Sequence, residues 1–211
     1  MSSTSPTTAP ALRTATEPDI DLVADIVADA FLHLDVIRFL VPDDQRRHAV
    51  SRAWYRLYIA HAIGGAGQVV VTEDNTAAAV WFDRTREPSE PDDYGARLAE
   101  LAGDYLPRFQ HLDAQMDAHH PRDPHWHLLF LAVHPSRWGQ GLGSRLMRST
   151  HQQLDRDGIP AYLEATSKQN RRLYHRHGYT DMNPPTLAVS DGTPLYRMWR
   201  PAGHPKPDST Q

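Results

Sequence analysis

The run Val133-His134-Pro135-Ser136-Arg137-Trp138-Gly139-Gln140-Gly141-Leu142-Gly143-Ser144 combines residue types that can hold a diphosphate. An apolar strand pattern feeds a glycine-rich turn, and a helical pattern follows. Glycine lets the backbone bend sharply and aim several N–H groups at one point, and a helix N-terminus adds positive potential there. Three ligand classes use such loops. A nucleoside triphosphate loop needs Gly-Lys-Ser/Thr at the helix start, but Gly143 is followed by Ser144 and Arg145. A dinucleotide fingerprint needs a third glycine where Ser144 or Leu146 stands, and it follows a first strand rather than one in mid-chain. The pyrophosphate of coenzyme A remains. Helix capping alone does not account for glycines at the alternate positions 139, 141 and 143.

Trp138 to Gly143 reads W-G-Q-G-L-G and resembles the motif [RQ]-x-x-G-x-[GA] of the GNAT superfamily of N-acetyltransferases. Gly141 and Gly143 take the motif's glycine positions. Trp138 stands where the family prefers Arg or Gln, with Arg137 one residue away. The likeness covers the whole folded region. Ala79-Val80-Trp81, Pro121 to Trp126, W-G-Q-G-L-G-S, Tyr162 to Thr166, Asn170 and Tyr174 resemble the puromycin N-acetyltransferase branch. The resemblance implies an α/β fold: a mixed, mostly antiparallel central sheet flanked by helices, with splayed fourth and fifth strands. It implies acetyl-CoA as co-substrate and no metal. The coenzyme would contact Trp138, Gly139, Gln140, Gly141, Leu142, Gly143 and Ser144, together with Asn170 along the pantetheine arm. A backbone N–H on the strand ending Leu131-Ala132-Val133 would polarise the thioester carbonyl. Tyr174 would act as general acid beside the sulfur.

The chemistry of these residue types agrees. Asn170 and Tyr174 are four apart and share one helix face. Acetyl transfer to an amine expels a thiolate; a thiol has a pKa of about 8.5 and a phenol of about 10, so a neutral tyrosine can hydrogen-bond or protonate the leaving sulfur. With the amine attacking directly, no covalent enzyme intermediate is needed. An alkylammonium of pKa about 10.4 is only about 0.1% neutral near pH 7.4, so its proton must be removed. His127, Glu164 and a chain of waters are the candidates. By resemblance, His127 holds the position where histone acetyltransferases carry a glutamate base and arylalkylamine acetyltransferases a histidine; the puromycin branch carries an aromatic residue there. His125 and His127 form an H-x-H pair near His119 and His120. With no cysteine and no H-E-x-x-H in a chain of 13 histidines, a metal site is not expected.

The elements that must position these groups follow from periodicity. Strands are expected over Leu12–Thr16, Gln68–Thr72, Thr76–Phe82, Trp126–Val133, Ala161–Ala165, Tyr179–Met182 and Leu195–Trp199, with a hairpin at Asp74-Asn75. Helices are expected from Thr16 to near His33, from Asp43 or Asp44 to Gly64-Gly65, over Asp92–Ala102 and Asp104–Ala118, over Gln140–Asp157 closed by Gly158, and over Lys168–His177 closed by Gly178. Residues of about 88–120 read as a helical insertion. Phe31, Phe39, Trp54, Tyr55, Tyr58 and Tyr105 are core residues or pocket walls, and Asp35 is either a partner for an ammonium group or an exposed carboxylate.

Composition bounds the rest. The chain has 211 residues, 40% hydrophobic and 23% charged, with a net charge of −4. One domain is expected over 11–200, between loose tails at 1–10 and 201–211. No apolar run approaches the roughly 18 residues of a membrane span. No basic stripe suggests nucleic acid. Met1–Pro10 lacks a basic start and an apolar stretch, so no secretory signal is read and a cytoplasmic location is expected. The expected function is transfer of acetyl from acetyl-CoA to a primary amine of a small molecule, including a nucleoside-type or other antibiotic. The alternatives are a protein lysine or N-terminal acetyltransferase and a non-catalytic acyl-CoA sensor. The partner is the amine substrate, and the protein is expected as a monomer or homodimer.

Overall fold

In chain order the elements are β1 (Leu12–Thr14), α1 (Ile20–Phe31), α2 (Asp35–Leu40), α3 (Asp44–His61), β2 (Gly67–Thr72), β3 (Ala77–Asp83), α4 (Tyr94–Ala102), α5 (Leu106–His119), β4 (Trp126–Val133), α6 (Leu142–Asp157), β5 (Ala161–Ala165), α7 (Lys168–His175), β6 (Thr180–Ala188) and β7 (Pro194–Arg200). They come from a computed structural model that describes residues 10–189 and 192–203. Residues 1–9 and 204–211, most of the two expected tails, lie outside the described residues. Among those described, no helix is long and apolar enough to cross a membrane.

Local chemistry sets the boundaries. The Asp43 carboxylate caps α3 by accepting from the N–H groups of Gln45 at 2.8 Å and Arg46 at 3.4 Å. Gly158, at φ 67°, closes α6 in the left-handed region that glycine enters freely. Gly67 allows β2 to cross β3 closely: a Cβ there would lie 1.8 Å from the Trp81 carbonyl oxygen.

The seven strands form one sheet in the order β1-β2-β3-β4-β5-β7-β6, antiparallel except for the parallel pair β4–β5. Helices α1, α3, α4 and α5 bury Val27, Tyr55, Leu98 and Phe109 against one face, with Val80 and Phe130 of the sheet. On the other face α6 and α7 bury Leu146, Met147 and Tyr174 against Trp81 and Leu163.

The expected splay is present. β4 and β5 pair only at Trp126↔Ala161 and His127↔Tyr162, and no ladder joins them beyond. On its other side β4 stays paired with β3 throughout, with Leu129 bulged out of register. Past the bulge His134 donates to Thr76 of the β3 side at 2.8 Å. Strand alternation then turns the N–H and C=O of Ala132 toward β3 and those of Leu131 and Val133 into the gap.

The structure differs from the periodicity in two places. Helix α2 was not expected; its six residues are too few to show a period, and burial of Val36, Ile37 and Leu40 holds it. β6 runs to Ala188, past Pro184 and Pro185, because it is an edge strand and a break in register between Asp181 and Thr186 absorbs the prolines. Helices α4 and α5 occupy the region between β3 and β4, joined by a tight turn at Gly103–Tyr105.

Candidate active site

The glycine loop leaves β4 through a tight turn, Pro135–Arg137, capped by the His134 ring. Gly139 and Gly141 then adopt φ 77° and 76°. The first helical donor of α6 is Arg145 N–H, bonded to Gly141 O at 3.0 Å. The N–H groups of Leu142, Gly143 and Ser144 therefore have no partner within the helix and stand at the positive end of 16 aligned peptide units. A Cβ on Gly139 or Gly141 would meet nothing within 4 Å, whereas one on Gly143 would touch Leu131 and Val133 at 3.6 and 3.7 Å. The loop is thus open outward and close-packed inward, which fits a diphosphate laid across it.

Trp138 is 59% exposed, and its indole N–H donates to Val133 O at 2.7 Å. The indole occupies a carbonyl on the open edge of β4. Arg137 pairs with Asp74 at 3.1 Å, so it braces the loop against the β2–β3 hairpin. His177 holds Ser144 Oγ at 2.9 Å and ties the end of α7 to the loop.

A cavity of about 520 Å³ opens from this loop. Leu131, Val133, Trp138, Gly139, Gly141, Leu142, Gly143, Ser144, Asn170 and Tyr174 line it, so most of the expected coenzyme residues converge. Ala30 and Phe31 of α1 and Leu173 of α7 line it as well. Those two helices lie on opposite faces of the sheet, so the cavity passes through the gap between β4 and β5. Asn170 donates its amide to Thr166 Oγ1 at 3.1 Å, while Ser167 caps α7 through Asn170 N–H. Tyr174 is buried on the α7 side, its hydroxyl has no partner among the described residues, and burial pushes its phenol above the ordinary range.

Four expected site residues lie elsewhere. Ala132 packs in the core under α1, and Gln140 is exposed and outside the cavity wall. His127 and Glu164 also are not part of that wall. They sit at the apex of the fork, on the face covered by α5, with His127 Nε2 2.8 Å from Glu164 Oε2. Burial pushes the Glu164 carboxyl up, but the charge and hydrogen bond of His127 together with Tyr162 outweigh it and hold the group below the usual carboxylate range. Next to them, His125 Nδ1 lies 2.6 Å from Asp123 O and its Nε2 lies 3.1 Å from His120 Nε2. A carbonyl only accepts, so neutral His125 donates from Nδ1 and His120 donates to its Nε2. Burial lowers both rings, to about 4 for His125 and about 3 for His120. Among the described residues no group of three or more His, Asp or Glu side chains is placed to hold a metal.

The expected aromatic wall divides. Phe31 lines the cavity, but Trp54 and Tyr55 are buried core. Asp35 is exposed beside Arg38 at 3.9 Å. Arg176 at the end of α7 and His33 after α1 complete the cavity mouth. Nothing in the periodicity marked them, because they belong to separate elements that only folding brings to one opening.

Residues 105–179 match the Acetyltransferase (GNAT) family. An acetyltransferase structure from Corynebacterium glutamicum, described as histone acetyltransferase HPA2 and related acetyltransferase, superposes with a TM-score of 0.71 at 28% identity, covering 94% of this chain and 99% of that one. This is the GNAT fold. The PaiA N-acetyltransferase of Thermoplasma acidophilum, solved with coenzyme A, shares it with a TM-score of 0.57 at 10% identity, covering 92% of this chain and 99% of that one. An uncharacterized N-acetyltransferase of Schizosaccharomyces pombe is 31% identical over 68 residues, 32% of this chain and 28% of that relative's length. The match to the GNAT family takes in α5, β4, the glycine loop, α6, β5 and α7; of these, β4, the glycine loop, the start of α6 and α7 line the cavity.

Proposed function

We propose that the protein transfers an acetyl group from acetyl-CoA directly to a primary amine of a small molecule. One observation carries this reading: a glycine cradle at the start of α6 opens into a cavity that crosses the β4–β5 gap and has the unpartnered Tyr174 hydroxyl in its wall. The residues present fit acetyl-CoA, which when bound would supply an activated thioester. The N–H groups of Leu142, Gly143 and Ser144 would hold the diphosphate, and Asn170 with the free edge of Leu131 and Val133 would hold the pantetheine amides.

Alignment does most of the work in this reading. An N–H on the free edge of β4 polarises the carbonyl oxygen. In the transfer the amine nitrogen gains a bond to the acetyl carbon and the carbon–sulfur bond breaks. The amine's proton passes to a base, and the Tyr174 hydroxyl donates to the leaving sulfur. His127 oriented by Glu164 supplies the base. The resemblance to the puromycin branch makes puromycin and other antibiotic amines the first acceptors to test.

A thiol-release assay with an amine panel tests the proposal, alongside calorimetry of acetyl-CoA binding. Amine-dependent release supports it. Release driven only by lysine peptides would move the acceptor class to proteins. Binding without release above hydrolysis would make the protein an acyl-CoA sensor.

A further inference from the structure

A sheet face under helices is ordinarily apolar, because a buried polar group without a partner loses its hydration uncompensated. The face under α5 departs from this in one band. Arg84, just past β3, stands beside His125, just before β4, bonded through Arg84 N–H to His125 O at 2.9 Å. His127 pairs with Tyr162 on β5, and Glu164 pairs with Arg197 on β7. Six polar side chains thus run from the end of β3 and the entrance of β4 across β5 to β7.

The band is incompletely satisfied. Arg84 Nε, His127 Nδ1, Tyr162 OH, Glu164 Oε1 and Arg197 Nε are buried with no hydrogen-bond partner. Tyr162 interacts with Glu164 and Arg197, yet no bond of good geometry closes between them. Arg197 spends its two terminal nitrogens on Pro184 O and His119 O. Arg84 makes no ion pair within 4 Å among the described residues, although burial, which lowers its pKa, is opposed by the more distant charges of Asp117, Glu164 and Glu90; the neighbouring Asp83 is taken by Thr85 and Arg86. Its guanidinium lies over the Phe82 ring at 5.7 Å, half-buried, beside an exposed segment at residues 85–90. The centre of the band therefore holds two buried atoms with no hydrogen-bond partner, Glu164 Oε1 and His127 Nδ1, while its rim holds a guanidinium that makes no ion pair within 4 Å.

We propose that the acceptor is zwitterionic: an amine that carries a carboxylate a few bonds away, as in an amino acid, with its ammonium at Glu164 and His127 and its carboxylate on Arg84. This rests on the acetyltransferase reading and narrows its substrate class. A carboxylate on Arg84 would supply the charge-assisted bonds that the guanidinium lacks.

The test is a set of matched pairs: phenylalanine with phenethylamine, tryptophan with tryptamine, and 4-aminobutyrate with butylamine. The wild type is expected to favour at least one carboxylate-bearing member in kcat/KM, and Arg84→Met to cut that selectivity ratio by roughly 10- to 100-fold. Arg97→Met, on α4 away from the band, should keep the ratio. The favoured amino acid, added with coenzyme A, should also raise the melting temperature of the wild type and not of R84M. A wild-type preference for the amines without a carboxylate, a ratio unchanged in R84M, or no acetylation of any member overturns the proposal. Calorimetry separates the two levels. Normal acetyl-CoA binding with no carboxylate preference removes this inference alone, and no acetyl-CoA binding removes the acetyltransferase reading with it.

Discussion

His127 Nε2 lies 2.8 Å from Glu164 Oε2 across the last paired rung of β4 and β5, with the two side chains 3% and 6% exposed. An ionised carboxylate only accepts, so the imidazole donates from Nε2 and, when neutral, presents its lone pair at Nδ1. That nitrogen is buried and has no partner. The arrangement is that of a base held in one tautomer by a carboxylate.

His127→Ala should lower kcat/KM by roughly 10²- to 10⁴-fold and displace the low-pH limb of the rate profile. Glu164→Gln should lower it less and add little in the His127→Ala background, since Glu164 acts through the ring. Rates of the single and double variants from pH 5 to 9 check both points. A superimposable profile for His127→Ala would assign the base to water.

Tyr174→Phe removes one hydroxyl from the cavity wall and leaves the packing of the ring on Tyr179, whose centroid is 5.9 Å away, in place. We expect kcat to fall by roughly 10- to 10⁴-fold while the calorimetric Kd for acetyl-CoA stays the same. Burial holds the phenol above its ordinary range, so no alkaline limb below pH 10 should be traceable to it.

Gly141→Ala tests the cradle. The position has φ 76° and free space around it, so the cost comes from backbone conformation rather than collision. A non-glycine residue in this region costs about 1–2 kcal/mol. If the loop relaxes instead, its N–H groups lose their common aim and the acetyl-CoA Kd should rise by about tenfold or more. Calorimetry and thermal melts distinguish loss of binding from loss of fold.

Buried neutral histidines should make the fold sensitive to acid. Burial lowers His151 to about 3, with the Arg200 and His177 charges adding to it, and burial lowers His125 to about 4. His151 also bonds the Tyr179 hydroxyl at 3.0 Å. Between these values and the unfolded pKa of about 6.5 the unfolded chain binds more protons, so unfolding free energy rises with pH there. Stability should be full above about pH 6.5 and decline on acidification toward pH 4, each histidine contributing at most about 1.4 kcal/mol per pH unit. Urea melts of the wild type and of His151→Gln between pH 4 and 8 should show a shallower dependence in the variant.

Asp113 carries the opposite sign. Burial raises its carboxyl to about 6, against the hydrogen bond from Tyr94 OH at 2.9 Å. The folded chain therefore binds more protons between the unfolded value of about 3.9 and pH 6, and stability is lost as pH rises through that window. Asp113→Asn keeps an acceptor for Tyr94 and removes the charge. It should match or exceed wild-type stability above pH 6, by up to about 2 kcal/mol, and lose that advantage below pH 4.

Where a single signal was strong, the sequence was readable to the residue. Trp126–Val133 and Ala161–Ala165 are strands over the expected spans, because each is a short apolar run bounded by turn residues. Gly139 and Gly141 were readable as a turn because glycine enters the positive-φ region that both adopt. The His127–Glu164 bond was not readable, although both residues were candidates. They are 37 positions apart, and only the parallel pairing of β4 with β5 sets them side by side. Trp138 was named as a departure from a motif, but its bond to Val133 O depends on a strand edge left free.

By itself, then, the sequence determined the order of the strands and of the longer helices, the glycine-rich turn before α6 and the helix face shared by Asn170 and Tyr174, since each depends on neighbours within a few residues along the chain. The tertiary structure alone decided that β4 and β5 part after two pairs, that a cavity crosses the sheet there, and that six polar side chains from separate parts of the chain gather beneath α5. Those outcomes depend on strand register and on which helices cover which face, and both are settled by burial summed over the whole chain rather than by any local pattern.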